Sequence, residues 1–583
     1  MASALLALLL LSFHLASALP TTPAHHEHAT HRTRTLPSRR TIKTYHPKSK
    51  FEVYSRGLAR RDLSSKFDPS KYRDAGLKFV KSKFGSAEGE QDMEIVSAYD
   101  ELHVSHVWIR QRVAGLPVGN TLANVVQNNK GDVLSYSSNF VSPRQGNSFH
   151  YTRGAATHAV QTLGGRHDPN HPSTLEFYVI EGGDLQLTHS VRMHLEDGHI
   201  VKAFVDAEDG KVHGIIDYTS HLSARVVRSP NKTVSPHGWT FAEGGKVPAG
   251  HTLGNNAWAA SLDISVNDAT AKNDVIKAAT KFTSPDTFDY TPDLEQEPTV
   301  QQNRDAAVVN VWYLNNMAHD ILYRYGFTEK SFNFQFENPD GSGKGNDPVI
   351  VSVQDVSDKN NAQFSTMPER DSGFDNAVIL HEYAHGLTNR MTGGGTAECL
   401  QTTESGGLGE GWSDAFANWI WQSTSTHFHD FTVGGFSSGN ETGTFRGFPY
   451  SIDKRVNPLT YADAKKRDEV HDIGEIWAQT LHNVHANLVR EFGATLDALT
   501  NPDSEGAHSV FMRLFVDALA IQPCNPTFVD ARDAIIQADQ NRYDGKHKCA
   551  LWLGFALTGL GEGAENFVNS HAIPKDCAPA LPH

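Results

Sequence analysis

The tightest constraint in this sequence is the run His381-Glu382-Tyr383-Ala384-His385, two histidines four residues apart with a glutamate beside the first. Residues at i and i+4 stand one above the other on an α-helix, so this spacing aims both imidazoles at one point. The neighbouring residues predict that helix. Asp375 can cap its start, Ala377, Leu380, Ala384 and Leu387 form an apolar stripe, and Gly393-Gly394-Gly395 ends it. The histidines flank the stripe, which puts them at a groove. Two such histidines fit core packing as well as a metal, so a third ligand decides. Glu410 follows His385 by 25 positions in Gly409-Glu410-Gly411-Trp412-Ser413-Asp414, a second helical start with Glu410 and Asp414 one turn apart. Catalytic zinc takes three protein ligands and keeps a fourth position for water, and His381, His385 and Glu410 can supply the three. Asp414 can accept the free ring N–H of a ligand histidine and so fix its tautomer. The other pattern of this kind continues with Gly three and His six residues after the second histidine. Here those positions are Thr388 and Met391, which excludes it.

The rest of the chain sets the context. Its 583 residues are enough for several domains. Residues 1–18 carry an apolar run, Leu5 to Leu11, and end in Ala16-Ser17-Ala18, the form of a cleaved signal peptide. That run is too short to span a bilayer, and no later segment reaches about 18 uninterrupted apolar residues. The expectation is a secreted protein with no membrane partner. Two sequons, Asn231-Lys232-Thr233 and Asn440-Glu441-Thr442, mark Asn231 and Asn440 as glycosylation sites. A net charge of −15 argues against a nucleic-acid partner, which would need a basic face. Four cysteines, all late in the chain, allow two disulfides with three pairings open.

Residues 19–75 form a basic leader rich in His, Arg, Thr and Pro, without helical or strand periodicity in its first part, and read as flexible. Its histidines (His25, His26, His28 and His31) read as solvated residues rather than ligands. Between about Glu94 and Tyr218 short alternating runs broken by turn signals predict an α+β unit with much antiparallel sheet. Helical patterns then cover Val309 to Tyr325, Asn376 to Arg390, Glu410 to Gln422, Ile473 to Phe492, Ser509 to Ile521, Thr527 to Gln540 and Ala550 to Leu557. A strand is expected over Pro348 to Val353.

Four segments in order, HEYAHGLTNRMTGG, ESGGLGEGWSDAFA, VHDIGEIWA and IQPCNPTFVDARDAIIQAD, resemble the fungalysin family of secreted zinc metalloendopeptidases, relatives of thermolysin. Upstream, HVWIRQRVAGLPVGNTLANVVQNNKGDVLSYSSNFV is similar to the propeptide domain of that family. The resemblance covers about residues 75 to 570. It implies an α+β protein: a two-lobed thermolysin-like peptidase, sheet-rich lobe first and helical lobe second, preceded by an α+β propeptide. The implied boundaries are 1–18 for the signal peptide and 19–222 for the propeptide, with its inhibitory and folding-assisting domain over 76–222. The sheet-rich lobe with the zinc helix spans 223–390 and the helical lobe 391–583. Removal of the propeptide is expected near His221 to Arg225.

The resemblance also assigns roles. His381, His385 and Glu410 match the ligands of one zinc ion, Glu382 the catalytic carboxylate, and His471 the histidine that steadies the developing oxyanion. Arg446 matches an arginine that holds a substrate carbonyl. Asn361 and Ala362 resemble the edge strand that pairs with substrate, and Val378 would line the pocket for an apolar residue after the cut bond. A structural calcium ion is left open, since no residue pattern derives one. Protein substrates and the chain's own propeptide are the expected partners, and the enzyme is expected to be a monomer. Two departures stand out. Only about ten residues separate Phe364 from Asp375, where the family carries a further strand, and Gln401 stands where thermolysin has a tyrosine. The shortened sheet motivates a competing reading, a secreted binding protein of the same shell with impaired proteolysis.

Overall fold

The computed structural model describes residues 27–35, 41–58, 72–84, 92–101, 104–142, 155–169, 171–195, 200–217, 239, 249–261, 271–283, 287–293, 295–354, 372–437 and 444–578. The signal peptide, both sequon asparagines, the expected processing region, Asn361, Ala362 and most of the shortened segment before Asp375 lie outside them.

The first structured segments are β1 (His31–Thr35) and β2 (Thr41–Tyr45), an antiparallel hairpin. This corrects the reading of the leader as flexible. The pair has few apolar residues of its own, and its Ile42 and Tyr45 pack into clusters of the second sheet, so its order comes from docking rather than local pattern. An antiparallel sheet follows, built from β3 (Lys50–Leu58), β4 (Met93–Glu101), β5 (Val104–Val113), β6 (Leu116–Pro117), β7 (Ala123–Asn128) and β8 (Val133–Ser138). Its order is β3-β8-β7-β5-β4, with β6 beside β5. Helix α1 (Tyr72–Phe84) lies on it through Val80, which joins Val107, Ile109 and Val125 in one small core. A second antiparallel sheet holds β9 (Arg166–His167), β10 (Thr174–Val179), β11 (Leu185–His194), β12 (Ile200–Asp206) and β13 (Val212–Asp217), ordered β10-β11-β12-β13 with β9 on β11. Helix α2 (Ala155–Leu163) covers it with Ala159 and Leu163.

From there the structure turns helical. The strands β14 (Ala257–Ser261) and β15 (Val349–Val353) pair in parallel. Between them in sequence come α3 (Ala271–Ala278) and the long α4 (Gln301–Arg324), most of whose residues are buried. The remaining helices are α5 (Asn376–Met391), α6 (Thr403–Gln422), α7 (Val470–Phe492), α8 (Ala507–Ile521), α9 (Phe528–Tyr543) and α10 (Lys548–Leu557). Their largest shared core contains Trp412, Phe416, Trp419, Trp477, Phe515 and Phe555, all buried. Disulfides join Cys399 to Cys524 and Cys549 to Cys577, one of the three pairings left open by the sequence.

Helix α6 begins seven residues before the expected Glu410, at Thr403, after a capping box in which the Thr402 and Ser405 side chains each accept from the other's backbone N–H. The intervening Ser-Gly-Gly-Leu-Gly reads as loop because each glycine costs a helix about 1 kcal/mol. Packing explains the choice. A Cβ on Gly411 would stand 2.4 Å from the Gly474 carbonyl oxygen, and one on Gly474 would stand 2.4 Å from Glu410 Cβ. Bare backbone at these positions lets α6 and α7 approach closely, which sets the distance between Glu410 and His471.

Candidate metal centre

Three helices assemble the site. Helix α5 starts where the Asp375 carboxylate accepts the Ala377 N–H, and it carries His381, Glu382 and His385. Helix α6 contributes Glu410 and Asp414. Helix α7 starts at Glu469, whose carboxylate accepts the N–H groups of His471 and Asp472.

The side chains converge on one point. His381 Nε2 lies 3.0 Å from His385 Nε2, and Glu410 Oε2 lies 3.2 Å from the first and 3.5 Å from the second. Ligands about 2.05 Å from a tetrahedral zinc ion sit about 3.3 Å apart, so these three edges have the length that such an ion needs. Among the described residues this is the one group of three His, Cys, Asp or Glu side chains placed to hold a metal. His471 faces the same oxygen, its Nε2 3.3 Å from Glu410 Oε2. Glu382, part-buried, stands next to His381 on the helix.

A buried polar chain supports the centre. Asp414 Oδ1 lies 2.6 Å from His381 Nδ1. On its other side Arg446 donates to Asp414 twice, Nε to Oδ2 at 2.7 Å and Nη2 to Oδ1 at 3.0 Å, and the Tyr450 hydroxyl also donates to it. Burial opposes the Asp414 charge, but Arg446 and His381 outweigh it and hold this carboxyl well below the usual range. Burial likewise works against a charged His381, yet Asp414 and Glu410 raise its pKa to about 10. His385 moves the other way, lowered by burial despite Glu410. A cation bound at Nε2 would displace the second proton that these carboxylates favour on His381. Glu410 pulls the pKa of His471 up against burial, with help from Glu469.

The expected site residues divide into three groups. His381, Glu382, His385, Glu410, Asp414, Arg446 and His471 gather here. Val378 sits one turn before His381, part-buried against the helical core. Asn361 and Ala362 are outside the described residues. Gln401 lies apart from the centre: its Oε1 accepts the Asp217 N–H at the end of β13. Two supporting residues escaped the sequence reading. Glu469 places Oε1 2.8 Å from His471 Nδ1, and the signal was a carboxylate two residues before that histidine. Tyr450 carries no spacing signal at all, because it reaches Asp414 across 36 positions.

With this geometry in place, the sequence comparisons are decisive. The family described as "Fungalysin metallopeptidase (M36)" matches residues 213–564, and the "Fungalysin/Thermolysin Propeptide Motif" matches residues 96–140. The chain belongs to the fungalysin metallopeptidases. It is 34% identical over 546 residues to "Extracellular metalloproteinase 5" of Arthroderma otae, covering 81% of this chain and 85% of that one. "Extracellular metalloproteinase 1" of Trichophyton tonsurans and "Extracellular metalloproteinase mep" of Aspergillus flavus are each 32% identical over 547 residues, covering 81% of this chain and 84% of theirs. In this fungalysin the propeptide motif falls on β4 to β8, the first antiparallel sheet.

That sheet and its neighbour dock on the catalytic part. Arg110 on β5 and Lys202 on β12 both pair with the part-buried Glu398, Lys202 at 2.8 Å. The Ser97 hydroxyl donates to the Gly394 carbonyl at 2.6 Å, and Asn124 Nδ2 donates to the Ala520 carbonyl at 2.9 Å. Trp108 and Leu122 pack with the Cys399–Cys524 disulfide.

Proposed function

We propose that this fungalysin is a secreted zinc metalloendopeptidase held as a precursor, with His381, His385 and Glu410 as the zinc ligands and Glu382 as general base. The observation that carries the ligand assignment is the triangle of 3.0, 3.2 and 3.5 Å between the three donor atoms. Secretion rests on the signal-like leader and on relatives named extracellular proteinases. No helix of the described residues is long and apolar enough to cross a membrane.

Bound zinc would supply an acidified water and a Lewis acid for the carbonyl oxygen at this centre. The chain's own groups do the rest. Glu382 takes the water proton and passes it to the leaving nitrogen, base first and acid second. His471, whose pKa Glu410 raises and whose ring Glu469 orients through Nδ1, donates from Nε2 to the developing oxyanion. Asp414 fixes His381 through Nδ1, leaving Nε2 for the metal. Arg446 spends Nε and Nη2 on Asp414 and keeps Nη1 for a substrate carbonyl. Val378 would line the pocket for an apolar residue after the cut.

In this reading residues 19–222 are the propeptide, a chaperone and inhibitor, and the mature enzyme has two lobes, 223–390 and 391–583, flanking the zinc helix. The test is casein cleavage by the secreted product with and without a chelator, with bound metal quantified by mass spectrometry. Cleavage that ignores the chelator would remove the zinc assignment, and a secreted product that cuts no casein would favour the binding-protein reading.

A further inference from the structure

The proposed mechanism does not use the guanidinium of Arg32 on β1. Two hydrogen bonds hold the leader at the start of α6: the Glu404 N–H donates to the His28 carbonyl at 3.0 Å, and the Thr403 hydroxyl donates to the His31 carbonyl at 2.8 Å. The next side chain, Arg32, then runs along α6 toward Glu410. It meets Gly406, which lies one helical turn before Glu410 on the same face. A Cβ on Gly406 would stand 3.4 Å from Arg32 Nη1, 3.1 Å from Val470 Cγ1 and 3.6 Å from the Leu400 carbonyl oxygen. The guanidinium therefore sits in a notch between Gly406 and the start of α7, into which a side chain longer than a Cβ at residue 406 would press.

The electrostatics of this notch are selective. The starts of α6 and α7 both border it, and helix N-termini disfavour a cation. Burial also opposes the charge, while Glu410 and Glu469 act to retain it. Glu410 is the proposed third ligand and Glu469 orients His471, so the notch adjoins the reacting groups. His471 keeps half of its side chain exposed, at 51%. The leader thus covers the start of α6 next to the metal centre, while His471 stays half exposed.

We propose that the notch beside Gly406 is a subsite for an arginine side chain of a peptide, filled in the precursor by Arg32, which competes with substrate until the leader is removed. The proposal rests on the zinc-peptidase reading above and adds to it a ligand class and an inhibitory contact. A guanidinium fits where a neutral side chain does not, because the Glu469 carboxylate remains when Arg32 leaves, whereas the charge of Glu410 is taken up by a bound metal.

The test uses the zinc-loaded full chain carrying Glu382→Gln, which binds peptide without cutting it. The probes are two fluorescein-labelled hexapeptides, one with a single arginine and one with citrulline, its neutral isostere, in its place. Anisotropy titration should show weak and equal binding of both to the parent. Adding Arg32→Gln should tighten the arginine peptide at least tenfold and the citrulline peptide little, with the lead shrinking at high salt. Adding Gly406→Val to that variant should erase the difference. Unchanged affinity in Arg32→Gln overturns the proposal, as does equal tightening of both peptides. Should Gly406→Val fail to fold, the Arg32→Gln comparison still decides, since Arg32 lies on a docked hairpin outside the apolar cores. Zinc content and casein cleavage of the naturally processed wild-type enzyme are measured in parallel. Their absence sinks the peptidase reading itself, whereas an active zinc enzyme with unchanged peptide affinity sinks only the arginine subsite.

Discussion

The helical catalytic half and the two-sheet pro-region solve stability in opposite ways. Helices α5 to α10 share one continuous core with several fully buried tryptophans and two disulfides nearby. The pro-region divides its apolar residues among several small clusters, including one centred on Val107 and Ile109 and another on Val191 and Val201. Small separate cores remove less surface from water and supply correspondingly less driving force. What completes the pro-region is the surface that it docks on. Trp108 packs against the catalytic half's disulfide, Val126 joins the large helical core, and Glu398 takes both Arg110 and Lys202. One half carries a continuous core of its own; the other completes its packing on its neighbour, as the proposed removal after cleavage requires.

That contrast can be broken at either end. The largest effect should come from Glu382→Gln, which removes the proton carrier without touching the core or the ligands. Casein cleavage should fall about 10³-fold or more while zinc content and melting temperature stay at wild-type values. A variant that keeps near-normal turnover would take Glu382 out of the mechanism.

Next comes the interface. Glu398→Gln leaves the part-buried Arg110 beside a neutral group, with Lys202 falling back on Glu176, and breaking such a cluster costs about 3 kcal/mol. The precursor should secrete in lower yield, and the cleaved pro-region should inhibit the processed enzyme about 100-fold more weakly. Melting of the processed enzyme itself should not move. If it drops with the interface, the two halves are not the independent units described above.

Asp414→Asn probes the scaffold's support of the metal. It keeps the volume but loses the charge that His381, Arg446 and Tyr450 share, and zinc affinity should fall about 10- to 100-fold, measured by chelator competition. Wild-type affinity would show that the buried chain positions nothing.

The smallest effect is a pH dependence confined to the docked half. His46 and His106 are buried, and burial lowers each to a pKa of about 4. Both feel the catalytic half, His46 through Glu398 and His106 through Asp517 and the Ala520 backbone. A histidine whose folded pKa is depressed contributes stability that is full above its unfolded pKa, about 6.5, and is lost as pH falls toward 4. Pro-region affinity should weaken about tenfold or more between pH 6.5 and 4, and His106→Gln should flatten the profile. An unchanged profile in that variant would move the titration elsewhere.

The sequence by itself determined the elements whose pattern is local. The i, i+4 histidines, the Asp375 cap, the apolar stripe of α5 and the alternating strands β5, β7 and β12 read directly, because each depends on neighbours within a few residues. Three ends of the metal centre were legible for the same reason, as spacings on single helices. Tertiary structure decided what depends on distant partners. Helix α6 extends back to Thr403 through glycines that only the approach of α7 justifies, and the leader forms a hairpin because a surface hundreds of residues away receives it. Tyr450 and Arg446 meet at Asp414, and Arg32 lies against Gly406, through contacts that no local periodicity encodes. Charge placement followed the same rule. A carboxylate in a sequence is only a carboxylate, and burial with its neighbours made Asp414 a fixed anion, Glu398 an anchor and His381 the holder of a proton that a metal can displace.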